Sequence, residues 1–259
     1  MMGNCRLVMS LLIVISYSCT NLNDLGPIDD TSVLCVIVAN QDPQRFFIYR
    51  TASLNEPDAG FVPFEVKFSQ FFIDNASVAV NDVLKAYPFK LQLDTLGGAI
   101  VRKSFVPESL LTVQPGGAYS LSVVRGSTVI QGATRVPGNF SIIRPLDGQV
   151  FSGLKRKLRI EFAWTSSDNS QCYSVNITQY YRTPLSLIPQ THSFDVFDTL
   201  FTMPYDLDVY SPDSLNLEIY SFDKNYYHHR FKSVARSGIT GGYGYFGSAV
   251  LKKLVVYVN

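Results

Sequence analysis

Leu158-Arg-Ile-Glu-Phe-Ala-Trp164 is the stretch that decides the fold. Leu158, Ile160, Phe162 and Trp164 recur at every second position with Arg159 and Glu161 between them, and a period of two sends alternate side chains to opposite faces of an extended strand. One face is apolar and the other charged, so the strand is half-buried and the single tryptophan belongs to a core. Cys172-Tyr-Ser-Val-Asn-Ile177 follows with the same period, and Leu215-Asn-Leu-Glu-Ile-Tyr220 and Val250-Leu-Lys-Lys-Leu-Val-Val-Tyr-Val258 read as later strands.

The pattern extends to the N-terminal half. Val33-Leu-Cys-Val-Ile-Val-Ala39, Arg45-Phe-Phe-Ile-Tyr49, Phe64-Glu-Val-Lys-Phe68, Ala76-Ser-Val-Ala-Val80 and Tyr119-Ser-Leu-Ser-Val-Val124 are separated by Gly, Pro, Asn or Asp. Leu96-Gly-Gly98 and Gln114-Pro-Gly-Gly117 supply the positive φ that tight strand reversals need. The expected fold class is all-β, a meander or Greek-key sandwich rather than α/β. At roughly 100–150 residues per domain the chain is long enough for two. The break at Val136-Pro-Gly138 places an N-terminal β-sandwich over residues 32–137 and a C-terminal one over 138–259.

The lead-in Phe140-Ser-Ile-Ile-Arg-Pro-Leu-Asp-Gly148, the strand ending in Trp164 and the next strand carrying Tyr173, Val175 and Ile177 resemble the start of a fibronectin type III-like domain. The resemblance implies two tandem sandwiches of Ig-like or fibronectin type III-like form. One short helix is expected near the C-terminus: Asp223 caps it, it runs from Lys224 to about Arg236, and Gly238 takes the left-handed stop. Tyr227, Phe231 and Val234 would face the second sandwich. The opposite face carries His228, His229, Arg230, Lys232 and Arg236, either as a solvated basic face or as an anion or partner patch.

Ahead of the strands, Arg6 precedes the apolar run Leu7-Val-Met-Ser-Leu-Leu-Ile-Val-Ile, then Ser16-Tyr-Ser18 and Cys19. Residues 1–18 read as a secretory signal, because the run is about half the roughly 20 residues of a bilayer-spanning helix. Cys19 resembles the lipobox cysteine of bacterial lipoproteins. That resemblance implies an acylated thiol carrying a palmitate-type chain, a membrane partner reached through the lipid anchor, and residence in the cell envelope at the outer membrane. Plain secretion is the other reading. Residues 19–31 are polar and turn-prone and read as a tether.

Loss of the leader removes Arg6, so 22 cations become 21, against 21 acidic residues. A neutral mature chain offers no net-charge footprint for DNA, RNA or an anionic surface, and no nucleic-acid partner is expected. Cys5 leaves with the signal, which leaves Cys35 and Cys172, read as two buried free thiols in separate strand patterns, with a bridge between them as the alternative that an oxidising compartment permits; zinc spacing is absent.

Several motifs imitate active sites and fail on context. Gly242-Tyr-Gly244-Tyr-Phe-Gly247 matches G-x-G-x-x-G, but a terminal strand follows it where a nucleotide site needs a helix. Ser152-Gly-Leu-Lys155 and Ser167-Asp-Asn169 imitate two elements of penicillin-recognising enzymes, with the wrong spacing and without a K-T-G strand. His192, His228 and His229 have no G-x-S-x-G serine to serve, and adjacent histidines diverge on any backbone. Asp206-x-Asp208 and Asp195-x-x-Asp198 lack the calcium-loop pattern. The sequons at Asn75, Asn139 and Asn176 would be glycan acceptors in a eukaryotic secreted protein and read as chance behind a bacterial-style signal, so the lipobox decides between the two. The expected protein is not an enzyme and has no catalytic residue, metal site or cofactor.

The signal with Cys19, the strand Val33–Ala39, Asp74-Asn-Ala-Ser-Val-Ala-Val80, Tyr119-Ser-Leu-Ser-Val123 and the terminal Ile239-Thr-Gly-Gly-Tyr-Gly-Tyr-Phe-Gly247 resemble a large Bacteroidota lipoprotein family catalogued as a domain of unknown function. The resemblance implies an envelope lipoprotein with a C-terminal GGxGxFG-type motif, encoded in many cases beside TonB-dependent outer-membrane transporters. Such a protein would be a non-enzymatic binding or docking module accessory to a transporter; a surface adhesin or structural spacer is the alternative. Gly241, Gly242, Gly244 and Gly247 let a backbone come close to a neighbour, and Tyr243, Tyr245 and Phe246 supply rigid contact area. This glycine-aromatic loop either fills a seam beside the helix or is displayed to a partner.

Overall fold

The computed structural model describes residues 31–50, 71–96, 99–152, 157–182, 187–204, 207–208 and 213–259. The leader, Cys19 with the tether as far as residue 30, the expected strand Phe64–Phe68, the pair Gly97-Gly98, Lys155 and Asp206 lie outside the described residues.

The first half of the chain forms β1 (Thr31–Ala39), β2 (Phe46–Arg50), β3 (Ser77–Asn81), β4 (Ala86–Leu96), β5 (Ala99–Pro107), β6 (Ala118–Arg125) and β7 (Thr128–Arg135). Next come β8 (Ile142–Arg144), β9 (Val150–Phe151), β10 (Lys157–Leu158), β11 (Glu161–Trp164), β12 (Cys172–Arg182), β13 (Leu187–Val196), β14 (Leu200–Thr202), β15 (Leu207–Asp208) and β16 (Asp213–Phe222). Helix α1 (Lys224–Lys232) is followed by β17 (Arg236–Ser237), β18 (Ile239–Thr240) and β19 (Tyr243–Val258). The fold is an all-β sandwich with one short helix near the C-terminus.

The large sheet has the order β13-β12-β16-β19-β1-β2-β5-β4-β3-β6-β7-β18, with β9 and β17 also on β19. Its long strand β19 serves both halves of the chain. From Ser32 opposite Tyr243 to Ala39 opposite Val250 it lies parallel to β1, and from Ala249 to Val258 it lies antiparallel to β16. Residues from the expected C-terminal module thus pair with the first strand of the expected N-terminal one. The apolar runs explain why: Val33, Cys35 and Ile37 face the main core, while Val36 and Val38 face a second cluster with Cys172, Phe222, Ala249 and Leu251 under α1. A strand covered on both faces needs apolar residues throughout, and β1 has them.

In the C-terminal half β14, β11 and β8 form a three-stranded sheet that packs on the β12–β13 face. Trp164 meets Tyr173 with ring centroids 5.2 Å apart, and Phe201 meets Phe194 at the same distance. Leu158, Ile160, Phe162 and Trp164 are all buried. The run is nevertheless broken into β10 and β11, and at the break the Ile160 N–H points at the Met203 sulfur, 3.4 Å away. In the N-terminal half Phe46 stacks on Phe89 and meets Phe246 edge-on, so β2, β4 and β19 share one core. The sheet rolls until β7 returns to β19, where Gly132 lies against the Phe246 side chain.

Helix α1 begins as expected, with the Asp223 carboxylate accepting the Tyr226 N–H at 2.9 Å. Its end differs. It stops at Lys232, and Ser233 takes the left-handed conformation in place of Gly238, because Arg236 and Ser237 are drawn into strand pairing opposite Gly244 and Tyr245. Tyr227 and Phe231 pack against the second cluster as expected, whereas Val234 lies past the helix and is exposed.

Candidate functional site

The glycine-aromatic segment is a strand, not a loop. Tyr243 to Gly247 opens β19, and only Gly241 and Gly242 form the turn into it. Gly244 has φ +95°, and a β-carbon there would overlap the Val33 carbonyl oxygen. A β-carbon on Gly241 would overlap the Val129 carbonyl, and one on Gly242 would sit 2.8 Å from the Thr31 carbonyl. Gly247 faces the Asp223 carboxylate and Tyr226. Phe246 is fully buried in the main core. Tyr245 lies under α1 with its ring 6.0 Å from Tyr226 and 4.4 Å from His229, and burial pushes its phenol well above the usual range. Tyr243 is half-buried beneath the Arg236 guanidinium, 4.6 Å from its ring centre.

A polar knot closes the other end of α1. Asp223 is only 4% exposed, and its carboxylate accepts from Thr134 Oγ1 at 2.5 Å, while Thr134 Oγ1 and Ser248 Oγ lie 2.8 Å apart. The Asp223 N–H donates to the Ser248 carbonyl at 3.0 Å. Burial pushes this carboxyl up despite the hydrogen bonds that hold it down. A cleft of about 450 Å³ opens beside it, lined by Thr134, Arg135, Asn169, Gln171, Asp223 and Asn225. Because Asp223 itself occupies the helix N-terminus, that terminus is not open to an anion.

The flank of α1 beside the end of β13 is the surface with recognition chemistry. Phe197 is 62% exposed and stands edge-on to Tyr227 and Phe231, with ring centroids 6.2 and 5.2 Å away. Lys232 lies 5.7 Å from the Tyr227 ring centre, and Arg230 approaches Asp195 at 3.9 Å. Sequence reading found the cations and missed Phe197, which follows β13 and reaches the helix only through the β12–β13 pairing. His228 and His229 diverge: His229 stacks on Tyr245 with Nδ1 near the Val234 carbonyl, and His228 stands beside Tyr227. Among the described residues no three of His, Cys, Asp and Glu gather as metal ligands.

The other tempting groups are structural. The Ser167 hydroxyl donates to the Gly138 carbonyl and its N–H to the Tyr173 hydroxyl, which ties β12 to the inter-module segment. Asn169 takes a left-handed turn at φ 61°. Cys35 and Cys172 are free and buried, and burial raises both thiols, Cys172 to about 12.

No protein-family model and no curated protein matches the chain. Among solved structures it is similar to the FN1-FN3 domains of chicken CNTN1, with 10% identity over 90% of this chain and 66% of that one, at a TM-score of 0.23. It is also similar to Titin-A168169, with 12% identity, 88% and 96% coverage and a TM-score of 0.22. Domains A168-A170 from titin give 8% identity, 89% and 67% coverage and 0.20. The chain spans just under two thirds of the chicken fragment. The class that the chain's own strands define is the all-β sandwich proteins.

Proposed function

We propose that this protein is an envelope lipoprotein, anchored by Cys19, that acts as a non-enzymatic docking module for a TonB-dependent outer-membrane transporter. One observation carries the docking part of the reading: the Phe197, Tyr227 and Phe231 rings form an aromatic trio with an exposed member, beside the Arg230 cation. Exposed aromatics with a cationic rim are the composition of protein recognition surfaces. Gly244, Tyr245, Phe246 and Gly247, by contrast, are spent on internal packing. Ser167 and Asp223, the polar groups that look most like chemistry, are bound into the fold, which supports a role without catalysis.

The test is a pull-down of the native lipoprotein from detergent-solubilised membranes, with partners identified by mass spectrometry. A TonB-dependent transporter should co-purify and should be lost from Phe197→Ala. Recovery of the lipoprotein alone overturns the docking reading. Cys19→Ala should leave the precursor unprocessed and free of acyl label; continued labelling would move the anchor to another residue.

A further inference from the structure

The tether reaches the body at Thr31, and several elements converge on that one end of the sheet. Ser32 lies opposite Tyr243, and Gly241 abuts the Val129 carbonyl, so the β6–β7 hairpin tip reaches the same end. Helix α1 starts beside Ser248, in the middle of β19, and runs back toward the start of that strand, and the chain beyond it reaches Arg236 opposite Gly244. The last helical turn, with Lys232, therefore points to the end where the tether enters. Lys232, Val234 and Arg236 are exposed, and Val124 and Val129 flank the hairpin tip at 38% and 49% exposure. Asp74, near this end, is held by Lys103 at 3.3 Å.

We propose that this end rests on the bilayer, with Lys232 and Arg236 on the phosphates of anionic lipid headgroups and Tyr243, Val124 and Val129 at the interface. The inference rests on the lipid-anchored reading above. Twelve residue steps separate Cys19 from Thr31, a reach of at most roughly 40 Å, so an acyl chain on Cys19 keeps this end close to the membrane and makes the contact effectively intramolecular. Charge complementarity selects anionic lipid: Lys232 and Arg236 are exposed cations of the folded body, and the acidic pair Asp29-Asp30 that precedes Thr31 belongs to the tether. The Arg236–Tyr243 stack, a cation on a phenol ring beside small apolar side chains, has the amphipathic character that headgroup regions accept. One acyl chain alone binds only marginally, and a basic patch supplies a second signal.

The test uses the acylated protein from membranes in phosphatidylcholine nanodiscs with or without phosphatidylglycerol. Hydrogen exchange is read on peptides covering 124–129 and 232–243, and intact mass reports the acyl groups. Exchange should be roughly fivefold slower in the anionic discs. Salt at about 0.5 M should abolish the difference in the unmodified protein, and Lys232→Gln with Arg236→Gln should abolish it at low salt. Equal exchange in the two discs overturns the proposal. Equal slowing by both lipids overturns its charge basis, and slowing only in the presence of a co-purified protein assigns this end to that protein. An unacylated mass overturns the anchoring reading, and this inference with it.

Discussion

Gly244 and Val33 meet backbone to backbone where β19 lies parallel to β1. With φ at +95° and the Val33 carbonyl in the place a β-carbon would take, Gly244→Ala must both strain the backbone and push β1 away. The expected loss is about 3 kcal/mol, or roughly 10 °C in melting temperature. Gly126→Ala, at φ +55° with open space around it, is the control and should cost about 1 kcal/mol. Equal losses at the two positions would show that the parallel contact is not what Gly244 protects.

Asp223 gives a pH signature. Its carboxyl is raised above the unfolded value by burial, so the folded chain holds that proton more tightly than the unfolded one. The stability from this group is present at acid pH and is lost as pH rises through the folded-state pKa. Asp223→Asn keeps a capping side chain without the titration. Measured by urea midpoints, the stability of wild type minus variant should fall as pH rises above the ordinary carboxyl range near about pH 4. A difference that grows with pH would mean the ionised form is the one the knot stabilises.

Trp164 is buried, and its indole N–H lacks a hydrogen-bond partner among the described residues. Trp164→Phe removes that donor along with part of the ring, so its cost should stay below about 2 kcal/mol. Trp164→Ala opens a cavity beneath Tyr173 and should cost about 3–5 kcal/mol. Chemical denaturation followed by circular dichroism separates them; a phenylalanine as costly as the alanine would mean the N–H is satisfied.

Neither core thiol should react in the folded protein. With Cys172 raised to about 12, its thiolate at pH 8 is about one part in ten thousand, and Cys35 is buried completely. Iodoacetamide should add nothing to either residue until denaturant is present, and then should modify both, as read by peptide mass. Native labelling of Cys35 would show that β1 opens.

What the sequence disclosed was what neighbours in the chain decide. The alternation of Leu158, Ile160, Phe162 and Trp164 and the Asp223 cap are local signals, and the structure has both. Strands β4, β7 and β13 were hidden because Pro88, Gly132 and Pro189 contradict strand propensity inside them. Tyr243–Gly247 read as a loop for the same reason: glycine suits a strand only where another backbone comes close, and that backbone, at Val33, belongs to the far end of the chain. The helix stop at Ser233 was hidden in turn, since what ends the helix is the capture of Arg236 by β19. Phe197 entered the candidate surface through β12–β13 pairing, which no local period announces.

The pairing of β1 with β19 also sets the order of assembly. A growing polypeptide releases Val33 well over a hundred residues ahead of Gly244, so the opening strand waits without its parallel partner until β19 has been made. Until then the body stays slack, and β19 is its latch.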